Sequence, residues 1–375
     1  MTSKFTNFTN LFPDALGSTR DLLVKVYSAT VDLSFLFAEA DFYISIVGGL
    51  LTIFHLIILT RKPMMTSSIM SLMIATALCD LVAMIVGISV RDVVANMIPG
   101  PCTPPVTYRH YQLFNLLQSI RDDAVRCSTW LSVMMALVRL LALKFAAKPA
   151  RLQTISKFSF GFQTFVICLV FSTIFSYFHW LKRGLEKVGD WSPGPNCLDT
   201  YFSLEKLPIF EVHVSDYFTA HNVIFLRLYM FLNGTTSKIL PCALFPVLAV
   251  MLILELEKAK NVRKASTVSE KNSTERTTGL VVFMSVTFFI ALLPSGIVKS
   301  FQSVYTDIGF LYMSTYVDHI CFAVLAFNSS LHCFICFAMS SQYRITVAGL
   351  LRISKRNVVA HREEVQYKSP KFIHL

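Results

Sequence analysis

Seven stretches of this chain are long and apolar enough to cross a lipid bilayer, and they constrain its fold more than any other feature. A hydrocarbon core about 30 Å thick takes roughly 20 apolar residues as a helix. Backbone polar groups in lipid must be satisfied within the spanning element, which leaves helices or closed barrels. The runs here have helical lengths: residues 42–59, 68–97, 113–143, 158–177, a fifth ending at 256 and starting between 225 and 238, then 279–298 and 311–339. Composition agrees, with 54% hydrophobic and 15% charged residues, against about 25% charged in soluble domains. The net charge of +11 then reads as basic cytoplasmic loops, with no nucleic acid implied.

Loop charges orient the helices. Arg61 and Lys62 follow the first run, and Lys144, Lys148, Arg151 and Lys157 follow the third. Lys258, Lys260, Arg263, Lys264, Lys271 and Arg276 lie between the fifth and sixth, and Arg344, Arg352, Lys355 and Arg356 follow the seventh. All fall on one side, where the cytoplasm is expected. The opposite loops mix Arg109, Lys182, Arg183 and Lys187 with Glu186, Asp190, Asp199, Glu205 and Glu211. The expected division is an extracellular segment 1–39, a seven-helix bundle 40–340, and a cytoplasmic surface helix and tail 341–375. The N-terminus shows no cleavable signal pattern, so the first span is expected to target the chain to the plasma membrane.

Orientation sorts the modification sites. The sequon at Asn7 faces outward and is usable. Asn233 lies at the fifth helix, Asn272 is cytoplasmic and Asn328 is intramembrane. Of nine cysteines, only Cys102 and Cys197 lie in outer loops, where oxidation is permitted, so they are expected to pair. The other seven sit in apolar runs, where packing is the default.

Charges inside the spans need partners or a function, because burying them in lipid is costly. Arg139, in CSTWLSVMMALVRLLALKF (127–145), either snorkels to the inner headgroups or serves a partner. Asp80 marks a polar cluster within the second span. The third helix opens with SIRDDAVRCSTW, where Asp122 and Arg126 are spaced to pair on one face. Arg121 is beside them, Arg91 and Asp92 sit at the outer end of the second helix, and Lys299, Gln302 and Asp318 come from the sixth and seventh. They make either an ion-pair network within the bundle or the lining of a ligand pocket. Mixed signs suit a peptide better than an apolar odorant, with Arg121, Asp122 and Lys299 the preferred contacts.

Several segments together carry a family resemblance: TSSIMSLMIATALCD, CSTWLSVMMALVRLLALKF and NSSLHCFICFAMSSQYR, with ILTRK after the first span and FFIALLP in the sixth. Over residues 40–345 the chain resembles the nematode serpentine receptor class W family. These are rhodopsin-like G-protein-coupled receptors similar to FMRFamide-type peptide receptors. The resemblance implies an all-α seven-helix bundle followed by an amphipathic helix. It further implies an extracellular ligand, a neuropeptide or environmental peptide, and a heterotrimeric G protein on the inner face. A non-peptide chemosensory ligand is the alternative.

The resemblance also assigns positions. Arg139 matches the arginine of the Asp-Arg-Tyr motif, with Val138 where that family of receptors has an acid. Lys144, Arg263 and Arg344 join it in expected G-protein coupling. Asp80, Ser128 and Asn328 match a sodium pocket, and His332 stands at an asparagine position beside it, where an Asp–His pair could replace the ion. Phe288 and Pro294 match the sixth-helix switch, with Leu292 at its tryptophan position. Cys333 and Cys336 occupy the proline and tyrosine positions of the seventh-helix motif.

Other classes fit less well. No phosphate loop, HExxH or GxSxG motif occurs, so no enzymatic activity is expected. A transporter would show repeats and helices broken at mid-membrane, which this pattern lacks. Ser266 and Ser269 in the third inner loop read as a solvated segment, with phosphorylation as the alternative.

Overall fold

The computed structural model describes residues 11–13, 15–95, 102, 104–145, 148–192, 206–220, 223–262, 286–305 and 307–350. Asn7, Cys197, Arg263, Ser266, Ser269 and the tail after 350 lie outside the described residues, as does the side chain of Asp92.

The chain is a seven-helix bundle. Spans one to four are α1 (Gly17–Leu59), α2 (Ser68–Ala95), α3 (Tyr108–Lys144) and α5 (Phe158–Leu181), with a short α4 (Pro149–Ser156) in the inner loop between the third and fourth. An antiparallel hairpin of β1 (Arg183–Trp191) and β2 (Leu207–Val214) follows, then α6 (Asp216–Thr219). The fifth span is continuous helix made of α7 (Ile224–Gly234), a π-helical turn (Thr235–Ile239) and α8 (Leu240–Val262). A shorter apolar helix, α9 (Val286–Phe301), is the sixth. The seventh is α10 (Ile308–Met339), and α11 (Ser341–Leu350) follows it.

Several ends differ from the sequence reading. The fifth span begins at Ile224 and the seventh at Ile308. The third begins at Tyr108 and the fourth runs on to Leu181. The largest difference is α1, which starts 25 residues before the apolar run at 42. The segment read as a separate extracellular piece is therefore largely a helical extension. Its inner face is fastened by Leu11, Phe12 and Tyr27 against Phe310 and Met313 of α10. Hydropathy reports the lipid-embedded part of a helix, not its whole length, so amphipathic extensions are missed.

Helix α3 is the pivot, packing against α2, α5 and α8, while α1 packs along α10. The middle of the bundle is closed by Ala83, Val125, Val133, Phe245, Phe288, Leu292 and Phe322 from five helices. Leu292, at the sixth-helix tryptophan position, is fully buried there. Outward faces of α5 and α8 keep Ile167, Val170 and Val250 exposed, as a lipid-facing surface should. Small residues let helices close up: a Cβ on Gly161 of α5 would lie 2.5 Å from the carbonyl of Ser68.

The π turn in the fifth span has a local cause. Pro241 has no N–H to give the carbonyl of Ser237, and its ring presses on that group. The preceding turn widens, and Ser237 and Lys238, consecutive in sequence, are both buried. Such turns occur mostly within α-helices and often near functional sites. Gly296 of α9 makes room for this one, since a Cβ there would stand 2.8 Å from Ile239 and 3.0 Å from Lys238.

Candidate functional site

Two polar layers cross the bundle, one in its outer half and one deeper. In the outer layer Arg121 and Asp122 of α3 face different neighbours. Arg121 reaches α1, with Nη2 2.6 Å from Asp41 Oδ2. Its guanidinium lies over the Phe322 ring at 4.4 Å and against Gly87, where a Cβ would stand 2.9 Å from Nη2. Asp122 pairs with Arg126 at 3.2 Å, one helical turn on.

Arg126 is the hub of this layer. It donates to Ser237 Oγ at 2.8 Å, to Ser176 Oγ at 2.9 Å, to the Ser172 carbonyl at 3.0 Å and to Asn233 Oδ1 at 3.3 Å. It therefore joins α3, α5 and the π turn. On the far side Lys299 of α9 pairs with Asp318 of α10 at 2.8 Å, and Ser295 donates to the same carboxylate at 2.5 Å.

These expected pocket charges are thus largely satisfied by one another. Gln302 turns away and donates to the Phe310 carbonyl at 3.0 Å. Arg91 lies on the rim, pairing with Glu39 at 2.8 Å over the Phe42 ring, and takes no part in the central cluster.

Sequence reasoning does not single out Asp41, Ser176, Asn233, Ser237, Lys238 or Ser295 for this layer. Asp41 sits one residue before the apolar run at 42. Asn233 enters only as a sequon, and position 238 only as a bound for the start of the fifth span. Lys238 is only 4% exposed. Its Nζ lies 5.8 Å from the Phe322 ring, and it forms no ion pair among the described residues.

The end of the bundle beside the first polar layer is roofed by the β1–β2 hairpin. At its root Arg183 donates to Asn115 Oδ1 of α3 at 3.1 Å, and Lys182 faces the Tyr229 ring at 5.8 Å. Burial, then the neighbouring Arg183, push the Lys182 ammonium down to about 7. Cys102 lies among the described residues, whereas its expected partner Cys197 does not; the seven other cysteines are free thiols.

The deeper layer centres on Asp80 of α2. Ser128 donates to Asp80 Oδ1 at 2.5 Å, and His332 Nδ1 stands 3.5 Å from Oδ2. That Oδ2 is buried and has no hydrogen-bond donor. Asn328, expected beside them, instead accepts from Thr287 at 3.0 Å. Three of the four residues expected around an ion converge, and the fourth is engaged with α9. An imidazole N–H suits the orphan oxygen. A cation would find only Asp80 and Ser128 as oxygen donors within this set.

Below lies a cavity of about 120 Å³, lined by Arg139, His55, His332, Met135, Phe288 and Cys336 among others. Arg139 is half-buried and forms no ion pair among the described residues. Val138, where the resemblance would place an acid, is 2% exposed and packs with Leu72, Cys79 and Cys168. Phe288 stacks on Phe245 with centroids 4.5 Å apart, and Pro294 lies within α9.

The inner rim is tied down by α11. Tyr343 is 1% exposed; its hydroxyl lies 2.9 Å from His55 Nδ1 and 3.4 Å from Cys333 Sγ. Arg344 donates to the carbonyls of Ala338 and Phe337 at 3.0 and 3.3 Å, capping the end of α10. The surface helix is therefore docked on the bundle, and Arg344 has a structural use there. Lys144, in the last turn of α3, is exposed.

Comparison with known proteins agrees with this architecture. A family model described as serpentine type 7TM GPCR chemoreceptor Srw matches residues 39–354. The chain is also 23% identical over 245 residues to the G-protein coupled receptor dmsr-1 of Caenorhabditis elegans. That alignment covers 65% of this chain and 46% of the relative, so the chain spans about half the length of the curated relative it matches.

Proposed function

Because the chain belongs to the serpentine receptor class W family of seven-helix G-protein-coupled chemoreceptors, we propose that it is a cell-surface receptor for a small peptide. In this reading the N-terminus is extracellular and the tail cytoplasmic, following the loop charges. The ligand enters under the β1–β2 hairpin and engages the outer layer, with a Cys102–Cys197 disulfide holding the hairpin to the approach of α3.

One observation carries the choice of ligand class. Charged side chains of both signs from α1, α3, the π turn, α9 and α10 converge below the hairpin. A peptide carries amide, charged and apolar groups that can exchange with such partners, while an apolar odorant would leave them as they are. The family's description as chemoreceptors favours a second reading, a non-peptide chemosensory ligand.

Ligand binding shifts the bundle only by as much as it prefers one conformation over another. Arg126 is the natural point of leverage, because one side chain holds α3, α5 and the π turn together. Movement there passes to the Phe245–Phe288 stack and to the cavity holding Arg139. Arg139, with the exposed Lys144 and Arg263 of the third inner loop, then contacts the heterotrimeric G protein. We further propose that His332 pairs with Asp80 in place of a sodium ion.

The test is G-protein activation in cells expressing the chain, challenged with a library of short peptides and a parallel library of volatile and soluble non-peptides. A peptide agonist supports the reading. An agonist found only among non-peptides replaces it with the second.

A further inference from the structure

We propose that the outer layer is an anion-binding subsite centred on Lys238, and that the activating ligand must carry a carboxylate or equivalent negative group. This rests on the reading of the outer layer as the ligand site and specifies what that site takes.

Lys238 is nearly fully buried, inside a lipid-embedded bundle, and forms no ion pair among the described residues. A buried ammonium without an anion is costly. The nearest carboxylates are already engaged: Asp122 by Arg126, and Asp318 by Lys299 and Ser295. Electrostatically, Arg126, Arg183, Lys238 and Lys299 all act on Asp122 or Asp318, giving four cations around two carboxylates among the described residues, with Lys182, poised near neutrality, beside them. Asp123 does not redress the balance, because it turns to α5 and accepts from Thr173 at 3.2 Å. Asp41 is taken by Arg121.

The positive excess also has direction. Lys182 and Arg183 stand at the hairpin root, while Lys238 lies deeper, beside the Phe322 ring. A negative group entering from outside meets cations from mouth to floor, which raises its local concentration. The π turn carries Lys238 inward, and Gly296 lets α9 approach it closely, since a Cβ there would stand 3.0 Å from Lys238 Cβ. An ammonium serves as a compact point charge with three rotatable donors, so it can meet a carboxylate from several directions.

The negative group has two sources, the C-terminal carboxylate of a peptide or an acidic side chain. The test uses peptides made as free acid and as amide, each with Asp or Glu and with Asn or Gln. A parallel series of small carboxylates and sulfonates, with their neutral amides, is run on the same cells. Receptors are wild type, Lys238→Gln and Lys238→Arg, compared at equal surface expression.

The expected result is that every agonist is anionic and that neutralising the responsible carboxylate weakens it roughly tenfold to a hundredfold, the range for a charge-assisted contact. Lys238→Gln abolishes that discrimination and Lys238→Arg restores most of it. The free-acid and side-chain arms show which carboxylate is read. Activation by a small carboxylate alone, lost in Lys238→Gln, supports the subsite while overturning the peptide reading. A potent agonist indifferent to neutralisation, equal discrimination in Lys238→Gln, or silence from both series at proven surface expression overturns the subsite.

Discussion

Asp41 and Arg121 are 80 residues apart in sequence and 2.6 Å apart in the bundle. Their contact ties the amphipathic end of α1 to α3. Removing one partner of a buried pair leaves an uncompensated charge, at a cost of about 3–5 kcal/mol. Asp41→Asn is therefore expected to lower thermal stability of the detergent-solubilised receptor and its surface expression. The double variant Asp41→Asn with Arg121→Gln should recover part of the loss. A double variant as unstable as the sum of the two singles would mean the pair is not coupled.

Arg139 lacks an ion-pair partner among the described residues, and Val138 beside it packs against apolar side chains of α2 and α5. Nothing acidic at that position restrains the guanidinium. Ligand-free signalling should therefore be raised, and Val138→Asp should lower it when measured at equal surface expression. Val138→Thr, similar in shape and uncharged, controls for the disturbed packing. Basal activity unchanged in Val138→Asp would show that restraint is supplied elsewhere.

His332 faces the orphan oxygen of Asp80 at 3.5 Å. If the Asp80–His332 contact stands in place of an ion, agonist potency should be indifferent to sodium in the wild type, and sensitivity to sodium concentration should appear in His332→Asn. Matching sodium profiles in wild type and variant would remove His332 from the switch.

Lys182, half-buried at the hairpin root, has its ammonium pushed down to about 7 by burial and by Arg183. In the unfolded chain lysine holds its proton up to about 10.4. Between these values the unfolded state binds more protons than the folded state, so stability rises with pH. The wild-type receptor should melt higher at pH 8.5 than at pH 6.5, and Lys182→Met should flatten that difference. A pH profile unchanged by Lys182→Met would place the titrating group elsewhere.

What the sequence revealed and what it hid follow from the range of each interaction. The spans were legible because the apolarity of a run such as 42–59 is local, and lipid leaves the backbone few choices. The Asp122–Arg126 pair was legible for the same reason, being one helical turn. Asp41 was not, since its partner lies on another helix and nothing in either neighbourhood announces the other. Lys238 was not singled out because a helical wheel cannot show a π turn, although Pro241 three residues on was the available signal. The docking of Tyr343 on His55 was hidden in the same way: a helix that binds the bundle has the same amphipathic pattern as one that lies on lipid.

The central claim is that a peptide bound in the outer layer acts through Arg139 on a G protein. The most direct measurement is peptide-evoked G-protein activation in wild type and in Arg139→Ala, matched for surface expression, with each peptide tested in amidated and free-acid forms. The account expects a peptide response in wild type that is lost in Arg139→Ala while peptide binding persists. A response that survives in Arg139→Ala, or a surface-expressed receptor that no peptide activates, would contradict it.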